Sequence, residues 1–237
     1  MVEFQLIMYK WPNDNTSGFS EEKILRSSDK AYVILRDLIV SLELKPGSIV
    51  NEQELASRLK LGRMPVREAL ARLAVEQFVE ILQRRGAMIA PITLEGASEL
   101  FEAREVIECG IARIAAVRIT DEQLEKLKEV IFAVDHDRDS SDFENFLAHD
   151  FEIHSFLGRT IRDTNLRELS DRLLRHNLRF WRSYWSSRPA LKISMVSHDD
   201  LLKSLMDHDP IAAEAAMRSH LEDAKTLLRN SMWSEES

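Results

Sequence analysis

Residues 46–92 read PGSIVNEQELASRLKLGRMPVREALARLAVEQFVEILQRRGAMIAPI, and the order of signals in this stretch decides the fold of the N-terminal part of the chain. Asn51 followed three residues later by Glu54 is a capping-box-like start, and Leu55, Ala56 and Leu59 form the buried stripe of a short helix ending near Leu61-Gly62. A tight turn follows. Pro65 suits the first turn of a helix, where its missing N–H is no loss, and Val66, Ala69, Leu70 and Leu73 give that helix an apolar face to about Gln77. Phe78 to Leu82 and Ala87 to Pro91 are short β-like runs joined by Gln83-Arg84-Arg85-Gly86, which predicts a hairpin with a basic tip. Upstream, Val33, Ile34, Leu38, Ile39 and Leu42 recur with helical spacing from Asp29 until Lys45-Pro46-Gly47 stops the pattern. Three helices and a wing make a winged helix-turn-helix, predicted over residues 27–93.

Outside this unit the pattern changes. Beyond Thr93 one long helical stretch follows another, with breaks at Thr120-Asp121, Asp139-Ser140-Ser141, Asp163-Thr164-Asn165, Ser187-Arg188-Pro189 and His208-Asp209-Pro210. Six helices, each with one apolar face, predict an antiparallel bundle over residues 94–232, and a bundle interior is a usual place for a ligand or metal site. Residues 1–26 contain PNDNTSG and read as a poorly ordered N-terminal arm. The fold class is mainly α. Only 7 Gly and 6 Pro in 237 residues argue against an all-β alternative.

Composition narrows the function classes. No apolar run approaches the roughly 18 residues that span a bilayer, the N-terminal stretch lacks a basic leader, and the single Cys109 excludes a disulfide framework, so a cytoplasmic setting is expected with no membrane partner. A net charge of −8 looks wrong for a nucleic-acid binder, but it is unevenly placed. Residues 27–93 carry ten Lys and Arg against eight Asp and Glu, so the acid sits outside the N-terminal unit. No Ser/His/Asp order, Gly-rich phosphate loop or CxxC pair appears, which weighs against hydrolase, kinase and redox chemistry.

Arg63 and Arg67 lie four residues apart, on one face of the predicted third helix. A helix presented beyond a turn enters the major groove of DNA, and basic groups at its start meet phosphates and base edges. The Pro-Gly, Glu-Leu-Ala, Pro-Val-Arg-Glu-Ala-Leu and Arg-Gly signals of residues 46–92 resemble the DNA-binding domain of the GntR family. That resemblance implies that Arg63 and Arg67 are the principal DNA contacts, assisted by Gln53 and by Arg85 and Gly86 at the wing tip. Gly62 and Met64 stand where the family usually has hydroxyls on either side of Arg63. Met64 is a poor N-cap, and a cap normally worth ~1 kcal/mol is expected to be missing.

In the C-terminal part, HDFEIHSFL places Asp150 and His154 one helical turn apart, so both project to the same side. His198 and His220 are separated across the Asp209-Pro210 break, which predicts two successive antiparallel helices on which they can meet at one depth. One carboxylate and three imidazoles suit a borderline divalent metal, Zn²⁺ or Ni²⁺, with a position left for water or ligand. On spacing alone the other reading stays open, that these are ordinary core or surface residues. The Asp-x-x-x-His, the Ser-His and the Arg-Ser-His-Leu resemble the metal-ligand pattern of the FCD-type effector domain, found in the FadR-like branch of the GntR family. The same resemblance implies a pocket role for Arg104, as an effector-binding residue. His149, His176, His136 and His208 do not fit the pattern. Phe180, Trp181, Tyr184 and Trp185 recur at helical spacing and read as core or dimer packing.

The expected function is that of a metabolite-responsive transcription regulator, a repressor, whose homodimer reads an inverted repeat in double-stranded DNA. A small carboxylate would coordinate the open metal position, pair with Arg104 and shift the DNA-binding units. Two alternatives are a metalloenzyme acting on a small organic acid and a regulator that senses the metal itself.

Overall fold

A computed structural model describes residues 26–140, 143–186 and 197–233. The predicted N-terminal arm, apart from Arg26, and the predicted break at Ser187-Arg188-Pro189 lie outside the described residues. Helix α1 (Ser27–Val40) starts two residues before the expected Asp29 and buries Ala31, Leu35, Ile39 and Val40. Helix α2 (Glu52–Leu59) buries Leu55 and Ala56. Its cap is simpler than the predicted reciprocal box, with Asn51 Oδ1 accepting from the Gln53 N–H at 2.7 Å. Lys60 takes a left-handed conformation, and α3 (Arg63–Val75) follows with Val66, Ala69, Leu70 and Leu73 inward. The N-cap is Gly62, not Met64, and it makes no side-chain cap bond.

The wing is a three-stranded antiparallel sheet. Strand β1 (Ile49–Val50) pairs with β3 (Gly86–Ile89), which pairs in turn with β2 (Val79–Leu82) in the register Val79 to Ile89 and Leu82 to Gly86. The sequence reading missed β1, because two residues carry no period, and it placed the other two strands slightly too long. Gly86 sits at φ +99°, where a Cβ would stand 2.3 Å from the Val50 carbonyl oxygen. Only glycine lets β3 approach β1 this closely.

The remaining six helices have the predicted order. They are α4 (Leu94–Arg118), α5 (Asp121–Ser140), α6 (Phe143–Thr160), α7 (Thr164–Ser186), α8 (Asp199–Met206) and α9 (Pro210–Trp233). Four of the six starts have a visible local cause. Thr93 Oγ1 accepts from Gly96 N–H, Thr120 and Gln123 cap reciprocally before α5, Asp163 caps Leu166, and Asp209 caps Ile211 and Ala212 with Pro210 at the first helical position. Helix α4 lies at the centre, against α6, α7 and α9. Phe180, Trp181 and Tyr184 are buried, and Trp181 meets Phe101 edge to face at 6.2 Å; the half-buried Trp185 stacks on Phe143. Cys109 is buried as a small apolar residue.

Helix α7 also carries the winged unit. His176 stacks on Phe78 at 4.0 Å and its Nε2–H donates to the Glu76 carbonyl at 2.8 Å. Arg179 donates to the Ala90 carbonyl and Arg182 to the Val40 carbonyl at 3.3 Å. Three side chains of one helix therefore satisfy backbone acceptors of the winged unit. No helix among the described residues is long and apolar enough to cross a membrane.

Candidate functional site

Helix α6 turns Asp150 and His154 to one side, α9 brings His220, and His198 reaches the same point from the N-cap of α8. The expectation put His198 on a helix; it lies just outside the first turn, where the chain enters α8. His154 Nε2 stands 3.2 Å from His220 Nε2 and 3.4 Å from His198 Nε2, while Asp150 Oδ1 is 3.4 Å from His198, 3.7 Å from His154 and 3.8 Å from His220. All four donor atoms lie within 4.8 Å of one another, and the three imidazoles are buried.

This arrangement fits a cation. Donors around a zinc ion at about 2.1 Å stand roughly 3.4 Å apart in a tetrahedron, close to the separations above. With no positive charge between them, nitrogen lone pairs aimed at one point repel each other and the carboxylate. Electrostatics within the cluster show the same tension. Burial raises the Asp150 pKa, yet His154 and His198 outweigh it and hold the carboxyl well below its ordinary value. Burial and the neighbouring His198 and His154 push the His220 imidazole well below its own.

Glu108, on α4, completes the site and was not singled out in the sequence. Its carboxylate stands against His154 Nδ1 as an ion-pair contact, and Arg104 donates to it from Nε at 2.5 Å. With Glu108 and Arg104 behind its Nδ1 side, a neutral His154 would turn its Nε2 lone pair to the cluster, as in carboxylate–histidine–metal arrangements. Burial works against ionised Glu108, but Arg104 and His154 bring its pKa down to about 2. Burial likewise works against protonated His154, and Glu108 with Asp150 raises it to about 9. The i, i+4 spacing of Arg104 and Glu108 was visible, but such a pair on a helix ordinarily reads as a solvated surface pair. Here both are buried, at 2% exposure. Arg104, Asp150, His220 and Asn177 line one pocket beside the cluster.

On the opposite side of the molecule's chain order, Gln53, Arg63, Arg67 and Arg85 are all exposed on α2, α3 and the hairpin tip. Arg63 occupies the first position of α3 and Arg67 lies one turn on. Arg67 is paired with Glu52 on α2 at 2.8 Å, a contact that the local motif does not encode. Gly86 has a packing role of its own, set by its approach to Val50.

The histidines set aside behave differently. His176 holds the winged unit as described, and His208 bonds the Ala116 carbonyl through Nδ1 at 2.9 Å. His149 is outside the four-residue group; the side chain of His136 lies outside the described residues.

The FCD domain family matches residues 99–223, more than half of the chain, and the gntR family of bacterial regulatory proteins matches residues 27–89. The chain is a GntR-family transcription regulator with an FCD domain. This regulator is similar to the HTH-type transcriptional repressor RspR of Escherichia coli K12, 28% identical over 218 residues that span 87% of this chain and 92% of that protein. It is 26% identical to the HTH-type transcriptional regulator LutR of Bacillus subtilis 168, over 81% of this chain and 96% of that one. Escherichia coli McbR/YncC has the same fold, with a TM-score of 0.75 over 88% of this chain and 100% of that chain at 17% identity. Families and relatives together identify a DNA-binding regulator and not an enzyme, so the metalloenzyme alternative is set aside.

Proposed function

We propose that this GntR-family regulator is a cytoplasmic, homodimeric repressor that reads an inverted-repeat operator in double-stranded DNA under control of a small carboxylate bound at a divalent-metal site. Residues 27–93 serve as the DNA-binding unit and residues 94–232 as the effector-binding and dimerisation unit. The observation that carries the reading is the convergence of Asp150, His154, His198 and His220 on one point beside a pocket also lined by Arg104. Imidazole-rich sets favour Zn²⁺ or Ni²⁺. An ion held by these four side chains would supply a Lewis-acidic position for a carboxylate oxygen.

The chain's own residues do the rest. Arg104 offers charge-assisted donors to the same carboxylate. Asn177 and Trp181 on α7 line the pocket, and His176, Arg179 and Arg182 on the same helix grip the winged unit. A ligand that binds two placements of α7 unequally shifts the orientation of the winged units by its differential affinity. In the winged unit Arg63 and Arg67 contact bases and phosphates, Gln53 supports them, and Arg85 and Gly86 meet the backbone at the wing.

The test uses an operator selected from a random duplex pool and measures its affinity for the full chain by fluorescence anisotropy. Metal-loaded protein is expected to change affinity about 5- to 150-fold with at least one member of a small-carboxylate panel, and chelator-stripped protein is not. A metal effect on DNA affinity with no carboxylate dependence would replace this reading with metal sensing.

A further inference from the structure

The pocket beside the histidine cluster has walls that select among carboxylates. Phe143, Phe146, Leu147, Trp181, Trp185 and Leu227 form most of its lining, and beyond Asp150 and His220 only Arg104 and Asn177 add polar groups among the described residues. Phe143 and Trp185 stack at 3.7 Å with 12° between their planes, so one wall is a continuous aromatic surface. A polyhydroxylated acid placed here would exchange the water partners of its hydroxyls for carbon, at a penalty for each unpaired group. An apolar body gains from the same contact. The pocket holds about 450 Å³ of empty space, part of it open to solvent, which is room for a small acid.

Asn177 supplies a second, independent observation. It is 4% exposed and its amide oxygen has no hydrogen-bond partner among the described residues, although it lines the pocket that Arg104 and the cluster share. A buried acceptor left unpaired is unfavourable, so a donor from the ligand is the natural complement. A hydroxyl adjacent to the carboxylate provides one, and because it can also accept it serves whichever end of the amide faces inward.

We propose that the effector is a small carboxylate with an aromatic or branched-aliphatic body and one hydrogen-bond donor next to the carboxylate, and that sugar acids are excluded. The proposal rests on the metal-and-carboxylate reading above and deepens it. The carboxylate faces the cluster and Arg104, the neighbouring hydroxyl donates to Asn177, and the body lies against Phe143 and Trp185.

Four probes separate these claims on the metal-reconstituted full chain: acetate, phenylacetate, mandelate and glucuronate, each titrated by calorimetry and by quenching of tryptophan fluorescence. Mandelate is expected to bind at least tenfold more tightly than glucuronate and several-fold more tightly than phenylacetate. Asn177→Ala should abolish the gap between mandelate and phenylacetate. Trp185→Thr, at a partly exposed position, should weaken phenylacetate at least fivefold more than it weakens acetate. Metal-dependent binding of glucuronate as tight as that of mandelate overturns the proposal and leaves the carboxylate site standing. Failure of all four acids to bind removes the carboxylate site and the proposal together.

Discussion

Glu108 shows how a single residue outside the four converging side chains governs the cluster. Its carboxylate lies against His154 Nδ1 and is held by Arg104, so the ring orientation of His154 follows from two partners on α4. Removing such a partner typically lowers metal affinity about 10- to 100-fold while the ligating atoms remain. Glu108→Gln is expected to show a loss of that size in competition with a chromophoric chelator, and unchanged affinity would mean that Glu108 serves only Arg104. On the DNA side, Arg63→Ala should cost ~1–3 kcal/mol on the operator and relax specificity at one position. Glu52→Gln frees Arg67 from an exposed, solvent-screened ion pair, so it should tighten operator and scrambled DNA alike by a few-fold in a salt series. The place of the arginines on α3 and at the hairpin tip was legible because a local motif surrounds them. Glu52 and Glu108 were not, because their importance lies in which charge they meet after folding.

Helix α7 joins the two ends of the molecule, and a titratable contact lies at one of them. Burial lowers the His176 pKa to about 4; the bond to the Glu76 carbonyl works against the shift, and Arg179 and Arg172 add to it. A histidine with an ordinary pKa near 6.5 when undocked takes up a proton as pH falls that the docked form refuses. Docking is therefore fully favoured above about 6.5 and weakens progressively as pH falls towards 4. Hydrogen exchange at the Glu76 to Ala90 segment should rise across this window, and in His176→Phe, which keeps a ring against Phe78, the pH dependence should flatten. An equal rise in the variant would place the titration elsewhere. The six bundle helices were readable from their breaks and apolar faces, and the α2 to α3 turn from Asn51 and Pro65. The contacts of His176 and Arg179 join residues about 100 apart, which no local period encodes, and β1 is too short to carry one.

For the whole molecule, an uneven charge separates the tasks, with the acidic excess outside residues 27–93 and exposed arginines at the winged unit. One winged helix covers little DNA, and inverted half-sites call for a two-fold protein. Light scattering is expected to give twice the 27.4 kDa chain mass at working concentration, and a monomer that protects a single half-site would contradict the symmetric arrangement. Everything proposed for the control of DNA binding passes through the convergence of Asp150, His154, His198 and His220. Calorimetric titration of zinc into chelator-stripped full-length protein tests that convergence directly. The expected result is one ion per chain, with Asp150→Ala and His198→Ala binding at least 100-fold more weakly and His149→Ala binding as the parent does. No binding of zinc or nickel by the parent, or binding indifferent to Asp150 and His198, would contradict it and leave the four side chains an ordinary polar pocket.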